Sequence, residues 1–335
     1  MKNRRIVLAS RPEGEPTPTD FRLETVDLPP VGEGQVLLKT RYLSLDSYMR
    51  GRMSEGPSYA PPTQLGEPMP GGTVCEVIDS RAQGFAKGDT VVAFNGWQEY
   101  SVADPKGLRK LDPSAAPVST ALGILGMPGL TAYAGLLNIG QPKAGETVVV
   151  AAASGAVGSV AGQIAKIKGC RTIGIAGGRA KCDYVVNELG FDACLDHHSD
   201  TLAADLKAVC AAGIHVYFEN VGGKVFEAVL PLMNDFGRVP VCGLIAQYSA
   251  TELPPGPDRT PLVMRAILTK RLTFRGFIVT DFASQSAECF RDVGQWLREG
   301  KLKYKEDIVD GLESAPNAFI GMLNGRNFGK LLVRF

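Results

Sequence analysis

One stretch of the sequence combines an apolar strand, a glycine turn and a helix. Residues 147–158 are TVVVAAASGAVG, and the next residues, SVAGQIAKIKG, place apolar side chains at helical spacing. Aligned on the pattern G-x-G-x-x-G, Ala153 stands at the first glycine, and Gly155 and Gly158 stand at the other two. This arrangement predicts a dinucleotide site in which the helix N-terminus faces a pyrophosphate. The alternative is a tight strand-to-helix turn in a flavodoxin-like domain without a ligand.

The next predicted strand, CRTIGIAGG, indicates which dinucleotide would bind. Sites for NAD usually carry Asp or Glu about twenty residues beyond the first glycine. Here that position holds Gly177, Gly178 and Arg179, with Lys181 two residues later. A carboxylate would repel a 2′-phosphate, whereas cations attract it. We therefore predict NADP (NADPH) as the cofactor; the alternative is that both cations are solvated side chains at a helix start.

Length and composition indicate a two-domain enzyme. The chain has 335 residues, of which 44% are hydrophobic and 21% charged, and its length exceeds the usual limit of a single core. The net charge of +1, without charged blocks, predicts neither a nucleic acid nor a membrane as partner. No apolar run approaches the roughly 20 residues of a membrane span, and the first residues lack the apolar core of a signal peptide. We expect a cytoplasmic protein.

The cysteines and histidines do not form a metal-binding pattern. The seven cysteines are scattered without a C-x-x-C pair, and the three histidines lie within one half of the chain. Neither a disulfide framework nor a zinc site is predicted. We therefore expect an enzyme without a metal.

The order of predicted elements divides the chain into an α/β domain and a β domain. Residues 1–122 contain short apolar or alternating segments punctuated by Gly and Pro, which indicates an antiparallel, barrel-like β domain. Over residues 123–299, strands alternate with helices, which indicates a doubly wound parallel sheet, the Rossmann fold. Residues 300–335 hold a strand, a helix and a last strand, GKLLVRF, that is expected to return to the first domain.

The whole chain resembles the zinc-independent medium-chain dehydrogenase/reductases, in particular the NADPH-dependent double-bond reductases, which include leukotriene/prostaglandin reductases and alkenal reductases. The motifs that carry the resemblance are SLDSYMRGRM (44–53), GMPGLTAYAGLL (126–137), AAASGAVGSVAGQIAKIKGC (151–170), YFENVGGKVFEAVLPLMNDFGRVPVCG (217–243), GFIVTDF (276–282) and DGLESAPNAFIGMLNGRNFGK (310–330). GFDACLDHHSD (190–200) resembles the bacterial curcumin-reductase branch. The resemblance implies a GroES-like substrate domain, a Rossmann domain and a homodimer.

The resemblance also implies contacts with NADP. It assigns the pyrophosphate to Gly155, Ala156, Val157 and Gly158, the 2′-phosphate to Lys181, and the nicotinamide half to Asn220, Phe277, Ile278, Val279 and Asn327. It assigns the adenine and ribose side to the loop that contains Cys242, Gly243, Leu244 and Tyr248. His197 stands where the family often has a tyrosine on the adenosine phosphate; the alternative is a histidine in a surface loop.

Tyr48 is the candidate catalytic residue. In SLDSYMR, Asp46, Tyr48 and Arg50 alternate, so they share a face if this segment is extended. The phenol would donate a hydrogen bond to the substrate carbonyl, and the alternative is a core tyrosine of the barrel. Asp46 and Arg50 are interpreted as a structural ion pair or as helix caps.

This set of residues favours one reaction. Adding hydride to the β-carbon of an enal or enone needs orientation and a donor to the oxygen, but no metal. The sequence and the resemblance therefore predict an NADPH-dependent reductase that takes hydrophobic enals, enones or curcumin-like dienones. The alternatives are a quinone reductase of the same superfamily and a nucleotide-binding sensor without turnover.

Overall fold

The chain divides into two compact units, each with its own hydrophobic core. The structure is a computed structural model that describes residues 1–335. One unit comprises Met1–Gly123 and Glu306–Phe335, and the other comprises Ile124–Lys305.

The strands and helices are numbered in chain order. The strands are β1 (Lys2–Leu8), β2 (Phe21–Asp27), β3 (Val36–Ser44), β4 (Thr73–Ser80), β5 (Thr90–Ala93), β6 (Tyr100–Ala103), β7 (Arg109–Leu111), β8 (Thr147–Ala151), β9 (Arg171–Ala176), β10 (Ala193–Asp196), β11 (Ile214–Phe218), β12 (Met233–Val241), β13 (Thr273–Gly276), β14 (Glu306–Asp310) and β15 (Lys330–Arg334). The α-helices are α1 (Met49–Arg52), α2 (Met127–Ala134), α3 (Gly158–Ile167), α4 (Arg179–Asn187), α5 (Leu202–Val209), α6 (Gly223–Val229), α7 (Thr260–Lys270), α8 (Ser286–Arg298) and α9 (Ala315–Leu323). Short 3₁₀ segments are Pro18–Asp20, Val118–Leu122, Leu230–Leu232, Ile245–Gln247, Val279–Gln285 and Leu312–Ser314, and a π-helical turn spans Gly135–Gly140.

The second unit contains the predicted doubly wound sheet, which is confirmed. Its six strands lie in the order β10-β9-β8-β11-β12-β13, and all neighbouring pairs are parallel. The central strand β8, TVVVA, is buried along its whole length, as expected of a β-branched strand covered on both faces. The strand order reverses between β8 and β11. Sheets of this kind bind ligands beyond the carboxyl ends of the strands at that reversal.

The first unit is the predicted antiparallel β domain. Its larger sheet has the order β14-β15-β3-β4-β5-β7, with β6 also paired to β3. Every pairing in this sheet is antiparallel except the one between β14 and β15. Strands β1 and β2 form a separate antiparallel pair. The ring of Trp97 stacks on Phe21 at a centroid distance of 5.5 Å, and Phe319 packs edge-on against both rings.

The segment SLDSYMR is not extended throughout, because the chain turns after β3 and enters α1 at Met49. The common face that alternation would give to Asp46, Tyr48 and Arg50 is therefore absent, since that spacing holds only for a strand. Arg50 donates to the carbonyl of Gly14 at 2.8 Å and to the hydroxyl of Ser54 at 2.8 Å. Its guanidinium thus binds neighbouring loop atoms rather than Asp46.

Asp46 does form a structural ion pair, and its partner is Lys330 at the start of β15. The lysine Nζ lies 2.9 Å from Oδ1 of Asp46 and also donates to the carbonyl of Leu45 at 2.7 Å. Ser44 donates to the other carboxylate oxygen. The side chains of Asp46 and Lys330 are only 12% and 5% exposed. The pair therefore fixes the turn that precedes Tyr48 to the last strand of the sheet.

We expect Lys330→Met to destabilise the protein by about 3–5 kcal/mol, because it leaves the Asp46 carboxylate buried without a counter-charge. The matched control is Lys2→Met, which removes the lysine of an ion pair with Asp27 whose side chains are 68% and 72% exposed. That change should leave stability nearly unchanged. Urea unfolding of both variants gives the comparison, and equal midpoints for the two would contradict this account of the buried pair.

Candidate nucleotide-binding site

The turn between β8 and α3 is built on a close approach of helix to strand. Ala152 has a left-handed backbone with φ of 52°, and its carbonyl accepts the N–H of Gly155 at 2.9 Å. The N–H of Ala153 donates to the carbonyl of Ile175 in β9 at 3.0 Å. A Cβ atom at position 158 would overlap the carbonyl oxygen of Ala152. Only glycine therefore lets the helix begin this close to the end of the strand.

The N-terminus of α3 has the properties of an anion site. The N–H groups of Ala156, Val157 and Gly158 have no acceptor within the protein. Around Gly155, a Cβ would meet only the carbonyl oxygen of Ala152 at 3.2 Å, so the outer side of the turn is open. Unpaired amides and the positive end of the helix dipole stabilise a phosphate at such a position. The predicted turn residues are thus brought together, and they fit a dinucleotide pyrophosphate.

Asn220 lies just beyond β11 and is bound to the neighbouring strand. Its side-chain N–H donates to the carbonyl of Ala151 at 2.8 Å, which joins the carboxyl ends of β8 and β11. The amide therefore supports the backbone from which the glycine turn begins. The predicted contact between Asn220 and the nicotinamide half stays a prediction.

Glu219 was missed by the sequence reasoning, although it shapes the same edge. The residue is 2% exposed, and its Oε1 accepts from the Tyr217 hydroxyl at 2.9 Å and from the N–H groups of Val221 and Gly222 at 2.7 and 2.9 Å. Burial raises the pKa of its carboxyl group against the opposing effect of these donors. The available signal was a single acidic residue at the end of an apolar strand, IHVYFEN.

The loop after β12 brings four of the predicted residues together. The N–H groups of Cys242 and Gly243 donate to the backbone carbonyl of Glu219 at 2.9 and 3.1 Å. The hydroxyl of Tyr248 accepts the N–H of Leu244 at 3.4 Å, so the tyrosine folds back over the loop. Burial raises the pKa of the Cys242 thiol to about 12, which keeps it protonated.

The three predicted residues after β13 differ in burial. Phe277 is 9% exposed, and its ring belongs to the hydrophobic core, where it meets Phe282 edge-on at a centroid distance of 6.0 Å. A side chain at Gly135 would collide with this ring, so the two positions are packed together. A cofactor contact from Phe277 would therefore involve its backbone. Ile278 and Val279 are half-buried.

Two predicted cofactor residues follow the carboxyl ends of β9 and β10: Lys181, expected at the 2′-phosphate, and His197, expected at the adenosine phosphate. Lys181 lies in the first turn of α4, and His197 follows β10 directly. The structure adds a carboxylate that the spacing rule could not find, because it comes from the neighbouring strand. Oδ1 of Asp196 accepts the N–H groups of Gly178 and His198, both at 2.9 Å. The carboxylate is thus bound to backbone donors.

In the other unit, Tyr48 is half-buried directly before α1. The Arg52 guanidinium lies 5.8 Å from the centre of its ring. Burial, followed by the charge of Asp46, raises the pKa of Tyr48 well above its ordinary value, so the phenol stays protonated and can donate a hydrogen bond. Asn327 donates to the carbonyl of Gly329 at 2.8 Å, within the turn that leads into β15.

Two further properties concern the whole chain. No group of three or more His, Cys, Asp and Glu side chains is arranged to hold a metal ion, and all seven cysteines are free. No helix combines the length and the apolar character that a membrane span requires.

Comparison with known proteins matches both units. Residues 4–111 match the family model of the N-terminal domain of oxidoreductase, and residues 156–299 match that of zinc-binding dehydrogenase. The chain is 56% identical to the NADPH-dependent curcumin reductase of Escherichia coli, covering 99% of this chain and 97% of that protein. It is 41% identical to the NADP⁺-dependent 2-alkenal reductase of Nicotiana tabacum, with coverages of 99% and 97%.

The fold agrees with a solved structure over nearly the whole length. The crystal structure of CurA from Vibrio vulnificus in complex with NADPH superposes with a TM-score of 0.96 at 53% identity, covering 99% of this chain and 98% of that one. The predicted family is thereby confirmed. The chain belongs to the medium-chain dehydrogenase/reductases, in the branch that contains these NADPH-dependent reductases.

Proposed function

We propose that this protein reduces the carbon–carbon double bond of α,β-unsaturated aldehydes and ketones, including curcumin-like dienones, with NADPH and without a metal ion. The observation that carries the proposal is the open glycine turn before α3, in which the N–H groups of Ala156, Val157 and Gly158 have no acceptor within the protein. The relatives named as NADPH-dependent curcumin reductase and 2-alkenal reductase support the cofactor and the substrate class.

We propose that the unit Ile124–Lys305 binds the cofactor and that the other unit binds the substrate. Within the first of these, the backbone of the glycine turn binds the pyrophosphate and Lys181 binds the 2′-phosphate. The remaining proposed contacts of this unit are His197 at the adenosine phosphate, the loop from Cys242 to Tyr248 along adenine and ribose, and Asn220, Phe277, Ile278 and Val279 around the nicotinamide. Asn327, which belongs to the other unit, is also proposed to contact the nicotinamide.

When bound, NADPH supplies the hydride for the β-carbon of the substrate. The chain contributes orientation and a hydrogen-bond donor for the carbonyl oxygen, on which negative charge develops. Tyr48 is the proposed donor, because its raised pKa keeps the phenol protonated. The proton for the α-carbon comes from solvent or from a tyrosine.

We also propose a cytoplasmic homodimer. Strand β13 lies at the edge of the six-stranded sheet and is largely exposed, so its outer backbone groups are available for pairing. Helix α7 has no buried residue and exposes Leu262, Met264 and Leu268. A second copy is the partner that would cover this edge. Seven free cysteines agree with a reducing compartment.

A screen of NADPH oxidation at 340 nm separates the proposed reaction from its alternative. The substrates are 2-alkenals, enones, curcumin-like dienones and benzoquinones, with product analysis for each. We expect turnover of the unsaturated carbonyls to saturated products. Turnover of quinones alone would identify a quinone reductase, and no NADPH oxidation with any of them would contradict the proposal.

Gly155→Val should abolish NADPH binding while the fold remains, because a branched side chain would stand where the pyrophosphate approaches the backbone. Fluorescence titration with NADPH measures the binding, and circular dichroism checks the fold. A dissociation constant within a few-fold of the unchanged protein would show that the turn does not hold the pyrophosphate.

Lys181→Ala should weaken NADPH binding by about 1–3 kcal/mol, because a charge-assisted hydrogen bond to the 2′-phosphate is lost. Binding of NADH, which lacks this phosphate, should barely change. Lys207→Ala, which removes an exposed lysine from α5, is the control and should affect neither nucleotide. Equal losses for NADPH and NADH in the Lys181 variant would refute this assignment.

Tyr48→Phe should lower kcat about 10- to 100-fold, and more than it raises KM, since a bond to the developing enolate strengthens in the transition state. Tyr59→Phe is the control: that phenol is exposed and lies beside the same Arg52, and its removal should leave kcat unchanged. Unchanged turnover of Tyr48→Phe together with lower thermal stability would identify Tyr48 as a core residue.

A further inference from the structure

Two adjacent imidazoles cover the end of β9. The rings of His197 and His198 lie 4.1 Å apart between centroids, with an interplanar angle of 49°. A Cβ at Gly177 would lie 2.9 Å from Nε2 of His197 and 3.1 Å from Cε1 of His198. The two rings therefore occupy the space that a side chain at the end of β9 would need. That strand end is where dinucleotide folds distinguish the substituent of the adenosine ribose.

The backbone and Asp196 hold the pair in place. The N–H of His197 donates to the carbonyl of Ala176 at 3.0 Å, which continues the pairing of β10 with β9. Oδ1 of Asp196 lies 3.1 Å from Nδ1 of His198 and accepts the backbone N–H groups of Gly178 and His198. The carboxylate is thus bound to His198 and to the start of α4. His197 is the half-buried member of the pair, while His198 is exposed.

The titratable and charged groups that act on the pKa of His197 come from three elements. His198 and Asp196 belong to its own segment, Lys181 belongs to the first turn of α4, and Lys224 belongs to the first turn of α6. Burial, then the neighbouring His198 and the two lysines, lower the pKa of His197 below its usual range, and Asp196 opposes them. Without a ligand, His197 is therefore a neutral imidazole at pH 7.

We propose that His197 is the proton-linked part of the 2′-phosphate site, where the charges of Lys181 and Lys224 act on it. Binding of a 2′-phosphate then draws a proton onto His197, and the preference for NADP(H) over NAD(H) grows as the pH falls. The inference rests on the proposed NADPH site and adds Lys224 and a protonation step to it. A phosphate dianion offsets the charge of the two lysines and stabilises the imidazolium, which can donate to it.

The sign of the pH dependence follows from linkage. The phosphate raises the proton affinity of His197, so protons are taken up between its pKa in the free protein and its higher pKa in the complex. Affinity for NADP⁺ is greatest below this interval and decreases as the pH rises through it. The 2′-phosphate itself has a pKa near 6, and a cationic site lowers that pKa. Binding therefore also releases protons from the phosphate, which opposes the uptake by His197. A variant without the imidazole is needed to separate these two effects.

Calorimetric titration with NADP⁺ and NAD⁺ at pH 6.5, in two buffers of different ionisation enthalpy, measures the protons taken up. We expect the unchanged protein to take up at least about half a proton more per NADP⁺ than His197→Gln, because the lowered pKa leaves His197 mostly neutral at pH 6.5 in the free protein and the phosphate raises that pKa in the complex. For NAD⁺ the two proteins should not differ. The ratio of the Kd for NAD⁺ to the Kd for NADP⁺ measures the preference for NADP⁺. This ratio should decrease several-fold as the pH rises from 6 to 8, and the decrease should be smaller in His197→Gln.

A second variant tests the site independently of His197. Lys224→Met should weaken NADP⁺ binding about tenfold, with little effect on NAD⁺, and Lys207→Met should weaken neither. If NADP⁺ binds to the unchanged protein and to His197→Gln with equal proton uptake, or if Lys224→Met binds NADP⁺ normally, the inference is overturned while the proposed function stands. If the unchanged protein does not bind NADP⁺, the proposed function itself is wrong.

Discussion

The approach of α3 to the end of β8 is the constraint on which the cofactor site depends. The helix starts so close to the strand that a side chain at Gly158 would overlap the carbonyl oxygen of Ala152. With a larger residue here, the helix would move away from the strand, and its first N–H groups would no longer lie at the carboxyl edge of the sheet. Asn220 fixes the same edge from the other side by donating to Ala151. The binding surface is therefore a product of strand and helix packing rather than of a flexible loop.

In the other unit, the buried ion pair of Asp46 and Lys330 determines the position of the proposed hydrogen-bond donor, Tyr48. Lys330, from the last strand, neutralises Asp46 and also binds the carbonyl of Leu45. Both contacts act on the turn immediately before Tyr48, and the proposed donor is therefore positioned by a strand that is nearly 300 residues away in sequence. The motifs SLDSYMR and GRNFGK meet in this ion pair, which gives a structural reason for the presence of both.

Local sequence was enough to predict the fold and the glycine turn, because TVVVA is a β-branched apolar run of strand length that ends in a glycine turn, and the helix that follows has a clear helical period. It was not enough where a residue acts through a neighbouring strand or helix. Asp196 binds the backbone after β9 from the neighbouring strand β10, the charge of Lys224 in α6 acts on His197, and Glu219 acts through backbone groups of its own turn. Spacing along one strand cannot find such residues. The alternation of Asp46, Tyr48 and Arg50 was misleading because β3 ends at Ser44 and the chain turns into α1 at Met49, so the spacing of a strand does not apply.

The central claim is that the chain delivers hydride to a carbon–carbon double bond. The most direct measurement uses NADPH carrying deuterium at the transferable position of the nicotinamide, with an enone as substrate and NMR analysis of the product. The account predicts a saturated ketone with deuterium on the former β-carbon and an intact carbonyl group. Deuterium on the former carbonyl carbon, in an allylic alcohol, would contradict it.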